Sequence, residues 1–175
     1  MFNKINFLFV TLFGIGKIKI IPGTCASLAT AIFLFFLLHI LNISPNIILI
    51  STIIIFFISL YSVNIFIKDL VNKDPKEVVI DEFIGQSIPI YLYEIAHEET
   101  KEINQVLTYY FIIFILFRFF DIVKPYPVSY YDKNFKNSFG VIMDDVAAGL
   151  YVVAALVLYM FFISWKKFLK KLSDY

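Results

Sequence analysis

Long apolar runs alternate with short charged segments along the 175-residue chain. The first two runs, Leu28 to Ile43 and Ile47 to Ile67, contain no Lys, Arg, Asp or Glu and are separated by Ser44-Pro45-Asn46. A helix needs about 20 apolar residues to cross the hydrocarbon core, so the second run is long enough. The first run reaches that length when Ala26 and Ser27 extend it. We therefore predict a transmembrane hairpin.

Three further apolar segments follow the hairpin. Phe83 to Ala96 contains Pro89 and is short for a full crossing, so it is expected to cross, re-enter or lie at the interface. Val106 to Val123 predicts a helix that two following prolines should stop. Val146 to Ile163 predicts another apolar helix. The pattern indicates an all-α, multi-helical integral membrane protein with one domain over residues 1–175.

Composition supports a membrane protein and excludes other classes. The chain is 60% hydrophobic and 17% charged, with a mean hydropathy of +0.81, whereas soluble domains are roughly 25% charged. A net charge of +1 offers no general attraction to nucleic acid. The single cysteine, Cys25, cannot form an intrachain disulfide. Phe7 to Ile15 is short and lacks a following small-residue cleavage site, so we expect no cleaved signal peptide.

Basic residues predict the orientation of the hairpin. They precede and follow it, while its connecting turn carries none, so both ends of the hairpin should be cytoplasmic. These residues are Lys17, Lys19, Lys68, Lys73 and Lys76. The lysines after the last apolar segment also favour the cytoplasm, yet a single crossing from a cytoplasmic Asp145 puts them outside. The side on which Lys166, Lys167, Lys170 and Lys171 lie is therefore left open.

Five acidic residues stand beside apolar segments, where an ionised carboxylate is costly unless it is paired or binds a cation. They are Asp81, Glu82, Asp121, Asp144 and Asp145. Two adjacent pairs among them repel unless a cation relieves the repulsion, and hard oxygen ligands suit magnesium or manganese. The alternative is that each pair caps a helix and favours its dipole.

Small residues follow both acidic pairs at helical spacing. Gly85 lies four residues after Asp81. Ala148 and Gly149 lie four residues after Asp144 and Asp145. Small side chains would let two helices approach closely and bring the carboxylates together. Ordinary packing of membrane helices is the alternative.

Cations and backbone amides accompany the carboxylates. Arg118 and Lys124 surround Asp121 along one helix, which leaves room for a phosphate, although interfacial Arg and Lys also extend their charges to water. Pro22-Gly23-Thr24 and Gly14-Ile-Gly16 come just before a helix and offer free N–H groups that suit an anion. Each segment alone is more often a turn.

Five motifs follow one another in order. They are Gly14-Ile-Gly16, Pro22-Gly23-Thr24, Asp81-Glu82-Phe-Ile-Gly85, Phe117-Arg118-Phe-Phe-Asp121-Ile-Val-Lys124-Pro125-Tyr-Pro127 and Asp144-Asp145-Val-Ala-Ala148-Gly149. Together they resemble the phosphatidylglycerophosphatase A family over nearly the whole chain. The resemblance implies an all-helical, multi-pass enzyme of the bacterial inner membrane. Such an enzyme uses magnesium to remove the terminal phosphate of phosphatidylglycerophosphate, giving phosphatidylglycerol.

The resemblance and the chemistry of the residues together suggest a role for each side chain. One or two magnesium ions are expected on Asp81, Glu82, Asp144 and Asp145. Catalysis is assigned to Asp121, as a further ligand or a base, and to Lys124 and Asp145. Phosphate binding is assigned to Gly23, Thr24, Arg118 and Lys124. Either water or a carboxylate is the nucleophile.

A lipid phosphate lies at the membrane surface, so the site should face the cytoplasm at one end of the helices. This requires an even number of crossings between Glu82 and Arg118.

Two rival functions fit the same residues. One is another magnesium-dependent lipid headgroup enzyme, such as a CDP-alcohol-type phosphatidyltransferase, although its Asp-Gly-x-x-Ala-Arg signature is absent. The other is a non-catalytic membrane protein whose carboxylates cap helices.

Overall fold

The computed structural model describes residues 2–96 and 102–173. These residues form seven α-helices and no β-strand, which confirms the all-α prediction. The helices are α1 (Phe2–Val10), α2 (Pro22–Phe35), α3 (Pro45–Ile67), α4 (Ile80–Ala96), α5 (Ile103–Val123), α6 (Val128–Asn134) and α7 (Ser138–Ser173). A 3₁₀ turn lies at Ile15–Lys17, and a π-helical turn at Phe36–Ile40 extends α2.

Four helices are long and apolar enough to cross a membrane. They cover Pro22–Ile40, Pro45–Ile67, Ile103–Val123 and Ser138–Lys166. The first two form the predicted hairpin, and both begin at a proline, whose fixed φ suits the first helical position. Each helix of the hairpin packs mainly against α4 rather than against the other. The hairpin therefore encloses a helix that comes later in the chain.

Contacts at both ends of the bundle show how the helices are directed. At one end, Arg118 near the end of α5 contacts Ser27 near the start of α2. At the other end, Glu94 near the end of α4 contacts His39 after α2 and Tyr110 in the first half of α5. Hence α2 and α4 run one way and α5 runs the other. Gly85 lies against Asp145, and Pro89 lies against Gly149, so α7 runs parallel to α4. The short connection after α2 turns α3 back in the opposite direction. We call the end that holds the starts of α2, α4 and α7 the site end.

The short helix α4 is the centre of the bundle. Ten of its 17 residues are buried, and it contacts α2, α3, α5 and α7. Because protein surrounds it, α4 needs little hydropathy of its own and can hold buried Gln86, Ser87 and Glu94. It is antiparallel to α5, which brings Glu82 and Arg118 to the same end, as the even number of crossings requires.

Glycines allow α4 and α7 to touch through their backbones. A Cβ atom on Gly149 would lie 2.4 Å from the carbonyl oxygen of Gly85, and one on Gly85 would lie 2.6 Å from that of Asp145. These two helices form the most extensive contact of the bundle. The predicted close approach of the two helices at these small residues is confirmed, and it brings Asp145 to Asp81 and Glu82.

The last helix is longer than the apolar segment from which it was predicted. Since α7 begins at Ser138, Asp144 and Asp145 lie about two turns inside it. The capping alternative is therefore wrong for this pair, whereas Asp81 and Glu82 do lie in the first turn of α4. The helix continues to Ser173 without a break, so its terminal lysines lie beyond the end opposite to Asp145.

The backbone contact predicts that Gly149→Ala destabilises the protein. Alanine normally favours a helix by about 1 kcal/mol over glycine, but its methyl group would collide here with α4, and overpacking costs about 1–3 kcal/mol. We expect a lower unfolding temperature in detergent. Ala154→Leu, on an exposed position of the same helix, is the control and should leave that temperature unchanged. Equal or greater stability of the Gly149 variant would contradict the tight contact.

Candidate active site

Three carboxylates from two helices converge at the site end. One oxygen each from Asp81, Glu82 and Asp145 lies within 4.8 Å of the others. We call these residues the acidic trio. Asp81 and Asp145 are 7% and 3% exposed, so their charges are almost removed from water. The backbone contact between α4 and α7 places them together.

Two residues of the acidic trio each have one carboxylate oxygen without a partner. Asp81 Oδ1 and Glu82 Oε2 are buried, and neither has a hydrogen-bond partner in the described part of the chain. Buried polar atoms are nearly always satisfied, and adjacent negative charges repel one another. Hard oxygen donors on one side of a small site are the ligands that magnesium prefers. The residues of the trio therefore fit a divalent cation.

Arg118 joins three helices beside the trio. Its Nη1 atom lies 2.9 Å from Asp121 Oδ2, 3.2 Å from Ser27 Oγ and 3.9 Å from Glu82 Oε1. Its Nε atom is buried and has no partner within the described residues. An arginine with an unused donor next to carboxylates with unused oxygens leaves a place for an anion bound together with a cation.

The first turn of α2 lies against this ion pair. A Cβ atom on Gly23 would be 2.1 Å from Glu82 Oε1 and 3.3 Å from Arg118 Nη2, so a larger residue would displace the carboxylate. Thr24 follows in the same turn and is half-buried. The first N–H groups of a helix have no partner within the helix. Gly23 and Thr24 thus bring free amides to the carboxylates, and phosphate binding by them stays a prediction.

The other glycine motif packs elsewhere. Gly14-Ile-Gly16 leads into the 3₁₀ turn, and a Cβ atom on Gly16 would lie 2.0 Å from the carbonyl oxygen of Glu77. Its second glycine therefore allows close contact with the loop between α3 and α4. Anion binding by this motif stays a prediction.

Lys124 forms a second charged group next to the trio. Its Nζ atom lies 2.7 Å from Asp144 Oδ2 and 2.8 Å from Asp132 Oδ1. Burial alone would lower the pKa of this ammonium group, but Asp144 above all, together with Asp132, outweighs burial and raises it. Lys124 therefore carries its positive charge at neutral pH.

The expected arrangement of two cations around Asp121 is wrong. Lys124 ends α5 in the left-handed conformation, with φ of 48°. Its side chain turns towards Asp132 of α6 and Asp144 of α7, while Arg118 contacts Asp121. Asp144 pairs with Lys124 and accepts a hydrogen bond of 3.0 Å from the Asp145 N–H. Its role as a metal ligand stays a prediction.

Three polar side chains in or near the site were not predicted from the sequence. Ser27 accepts a hydrogen bond from Arg118, Asp132 pairs with Lys124, and Gln86 is buried with both polar side-chain atoms unpartnered among the described residues. Ser27 and Gln86 each lie one helical turn after an assigned residue, Gly23 and Glu82, and this spacing is the signal that could have found them. Asp132 shows no such spacing.

Comparison with known proteins shows which family the chain resembles. The family model for phosphatidylglycerophosphatase A matches residues 8–160, which include the whole site. A phosphatidylglycerophosphatase A of Haemophilus influenzae is 37% identical over 153 residues, covering 87% of this chain and 86% of that protein. One of Escherichia coli is 29% identical over 153 residues, covering 87% and 81%. A Bacteroides thetaiotaomicron protein named putative phosphatidylinositol-3-phosphatase is 32% identical over 141 residues, covering 79% and 83%. No solved structure matches the chain significantly.

The unpartnered carboxylates predict that magnesium stabilises the folded protein and that Asp81→Asn removes the effect. A ligand at 100 times its Kd stabilises the state that binds it by about 2.7 kcal/mol. We expect magnesium to raise the unfolding temperature of the unchanged protein and not that of the variant. In chelator the variant should be at least as stable, because it buries one negative charge fewer.

The exposed Asp69 provides a matched control, since Asp69→Asn changes the same group outside the site. Calorimetric titration with magnesium should give the same affinity for this control as for the unchanged protein. If magnesium stabilises Asp81→Asn as much as the unchanged protein, Asp81 is not a ligand.

Proposed function

Because the chain belongs to the phosphatidylglycerophosphatase A family, we propose that it hydrolyses the terminal phosphate of phosphatidylglycerophosphate with magnesium. Membership makes it a phosphatase, and the proposed products are phosphatidylglycerol and inorganic phosphate, as a step of phospholipid biosynthesis. The observation that carries the proposal is the acidic trio, whose unpartnered buried oxygens lie beside Arg118 at one end of an apolar bundle.

The metal proposal rests on the donor set. Asp81, Glu82 and Asp145 would hold magnesium, and Asp144 would join them in a site with two ions. When bound, the cation supplies positive charge against the phosphate oxygens and compensates the repulsion within the trio. A site of this kind suits a phosphate monoester, because the negative charge of the monoester adds to that of the trio and increases the need for a compensating cation.

The cationic side chains of the protein would bind the phosphate itself. An ammonium group has three N–H donors, and Asp132 and Asp144 use two of those of Lys124, so one remains for a phosphate oxygen. Arg118 offers its unpartnered Nε–H. The amides of Gly23 and Thr24 would complete the contacts at the start of α2. In these positions the donors would stabilise the negative charge that develops on the phosphate oxygens during phosphoryl transfer.

We propose water as the nucleophile and Asp121 as its base. Asp121 lies in the last turn of α5, oriented by Arg118 at 2.9 Å. In the reaction the water oxygen bonds to phosphorus, its proton passes to the carboxylate, and the bond from phosphorus to the glycerol oxygen breaks. The glycerol oxygen takes up a proton from solvent water, and Asp121 returns its proton to the solvent. Phosphatidylglycerol stays in the membrane and inorganic phosphate is released.

The distribution of charge supports a location in the bacterial inner membrane with the site facing the cytoplasm. Most Lys and Arg residues lie in the loops and short helices of the site end, while the turn of the hairpin at the other end has none. Cytoplasmic loops carry the excess of basic residues in membrane proteins. The lysines at the end of α7 would then lie outside.

The decisive measurement is phosphate release by the purified protein in detergent. We expect release from phosphatidylglycerophosphate in magnesium, none in chelator, and a loss of several orders of magnitude for Asp81→Asn. Phosphatidic acid and phosphatidylinositol 3-phosphate serve as competing substrates, and we expect slower turnover of both.

The same assay separates the alternatives. Preferred release from phosphatidylinositol 3-phosphate would replace the proposed substrate by the one named for the Bacteroides relative. Release of a nucleotide from a cytidine-activated lipid, without inorganic phosphate, would indicate a phosphatidyltransferase. No turnover by folded protein would leave the non-catalytic alternative.

Lys124→Met should lower kcat by about 10²- to 10³-fold, the usual loss when one donor to a developing negative charge is removed. Asp132→Asn is the matched control. It removes the negative charge of one partner of Lys124 and leaves the other partner, Asp144, at 2.7 Å. We expect a much smaller loss of kcat for this control. Similar losses in both variants would mean that Lys124 only holds α6 and α7 together.

A further inference from the structure

We propose that Gln86 binds the phosphate of the substrate through its side-chain amide, as a further residue of the candidate active site. Gln86 is 0% exposed, and neither its Nε2 nor its Oε1 atom has a partner among the described residues. Buried polar side chains nearly always have hydrogen-bond partners, because leaving them unpaired costs free energy. An apolar side chain of similar size would fill a helix interface at lower cost, so packing does not explain the glutamine. The assignment of its ligand to the substrate rests on the proposed function.

Gln86 lies on the face of α4 that meets α2 and α5. Side chains four positions apart on a helix differ in direction by about 40°, so Gln86 shares the face of Glu82. That face is next to Gly23 of α2 and Arg118 of α5. The direction of Asp81 differs from that of Gln86 by about 140°. The amide is therefore on the side of the arginine, where the anion is expected, and away from Asp81.

Contacts of α2 show how deep in the bundle the amide lies. Helices α2 and α4 run in the same direction, and Gly23 lies against Glu82. Ser27 and Gln86 each follow these residues by four positions, so both lie one turn deeper, at the same level. Arg118 reaches this level, because its Nη1 atom donates to Ser27 Oγ at 3.2 Å. Three helices thus bring a hydroxyl, an amide and a guanidinium group to one level directly beneath the first turns of α2 and α4.

The unpartnered donors at this level fit a phosphate. Side chains of a helix lean towards its start, so that of Gln86 extends towards the site end. Its Nε2 atom carries two N–H donors, and the Nε–H of Arg118 is also buried and without a partner in the part of the chain that the structure describes. The terminal oxygens of a phosphate are strong acceptors and can accept from both side chains. The amide oxygen can accept a hydrogen bond from water that enters with the phosphate.

The first test uses the direction of a stability change. In Gln86→Met a side chain of similar length replaces the amide. A residue that holds the helices together loses hydrogen bonds in such a variant and lowers the unfolding temperature, whereas an unpaired amide has none to lose. In chelator and without phosphate, we expect Gln86→Met to unfold in detergent at the same temperature as the unchanged protein or at a higher one. A lower temperature would assign a structural role to the amide and overturn the proposal.

The second test is calorimetric titration in detergent, first with magnesium alone and then with inorganic phosphate at saturating magnesium. A hydrogen bond to a charged group corresponds to a factor of about 10 to 100 in affinity. For Gln86→Met we expect the Kd of phosphate to rise by that factor, with less than a twofold change in the Kd of magnesium. A phosphate Kd within twofold of that of the unchanged protein would overturn the proposal.

Gln86→Glu separates the donors of the amide from its oxygen. The carboxylate keeps the size of the side chain, removes both N–H donors and adds a negative charge. We expect this variant to bind phosphate at least as weakly as Gln86→Met does, because the new charge repels the anion. A magnesium ligand would behave differently, since Gln86→Met would weaken magnesium binding and Gln86→Glu would restore it. That pattern would overturn the proposal.

Ser87→Ala is the matched control, at the next buried polar residue of α4. Its hydroxyl group donates to the Phe83 carbonyl oxygen at 2.6 Å and so has a partner within the helix. Both Kd values should stay within twofold of those of the unchanged protein.

The titrations need no turnover, so they can fail independently of the proposed function. Phosphate binding that depends on Gln86, in protein that releases no phosphate from phosphatidylglycerophosphate, would overturn the proposed function and support the phosphate contact. Release by the unchanged protein, with the same phosphate affinity in all variants, would overturn the contact alone.

Discussion

The negative charge buried between α4 and α7 is the constraint on which the rest of the structure depends. Backbone contact at Gly85 and Gly149 brings the two helices so close that Asp81 and Asp145 are almost excluded from water. Carboxylates in that position are costly unless cations compensate them. Arg118 lies at the edge of this group and is tied to Asp121, so it does not satisfy the inner oxygens. The same packing that stabilises the helices thus creates a demand for a cation at one fixed place.

This demand arises on a helix that other helices largely enclose. Surrounded by four other helices, α4 can hold polar groups along its length. At the end opposite to the site, Glu94 Oε1 lies 3.1 Å from both His39 Nε2 and the Tyr110 hydroxyl. These contacts fix α4 against α2 and α5, and a charged group inside a membrane needs such partners. The position of the trio is therefore defined from both ends of its helix.

The sequence was informative wherever lipid contact determines composition. It predicted the hairpin and α5 because those helices face hydrocarbon and need long apolar runs. It left the role of Phe83 to Ala96 open because a helix enclosed by protein carries no such requirement. It placed the start of α7 at Val146, although the helix begins at Ser138, because the first two turns hold the polar residues of the site.

The sequence predicted which residues belong to the candidate site better than it predicted which of them pair with each other. The costly carboxylates and the order of the motifs identified the acidic residues and both cations. Their partners depend on tertiary contacts that have no local signal. Lys124 reaches Asp132 and Asp144 because a left-handed residue ends α5 and redirects its side chain. Ser27 joins the site only because α2 packs against α5.

Helix geometry also explains why the adjacent residues Asp144 and Asp145 have different surroundings. Successive side chains on a helix are about 100° apart, so two neighbours can face different helices. Asp145 faces α4 and joins the trio, whereas Asp144 faces α5 and α6 and pairs with Lys124. One turn of α7 thus connects two groups. They are the acidic trio, which requires a cation, and Lys124, which has a donor available for an anion. A phosphate bound together with a metal ion needs a cation site and a hydrogen-bond donor side by side. The adjacent residues Asp144 and Asp145 of α7 hold the donor of Lys124 and the acidic trio next to each other.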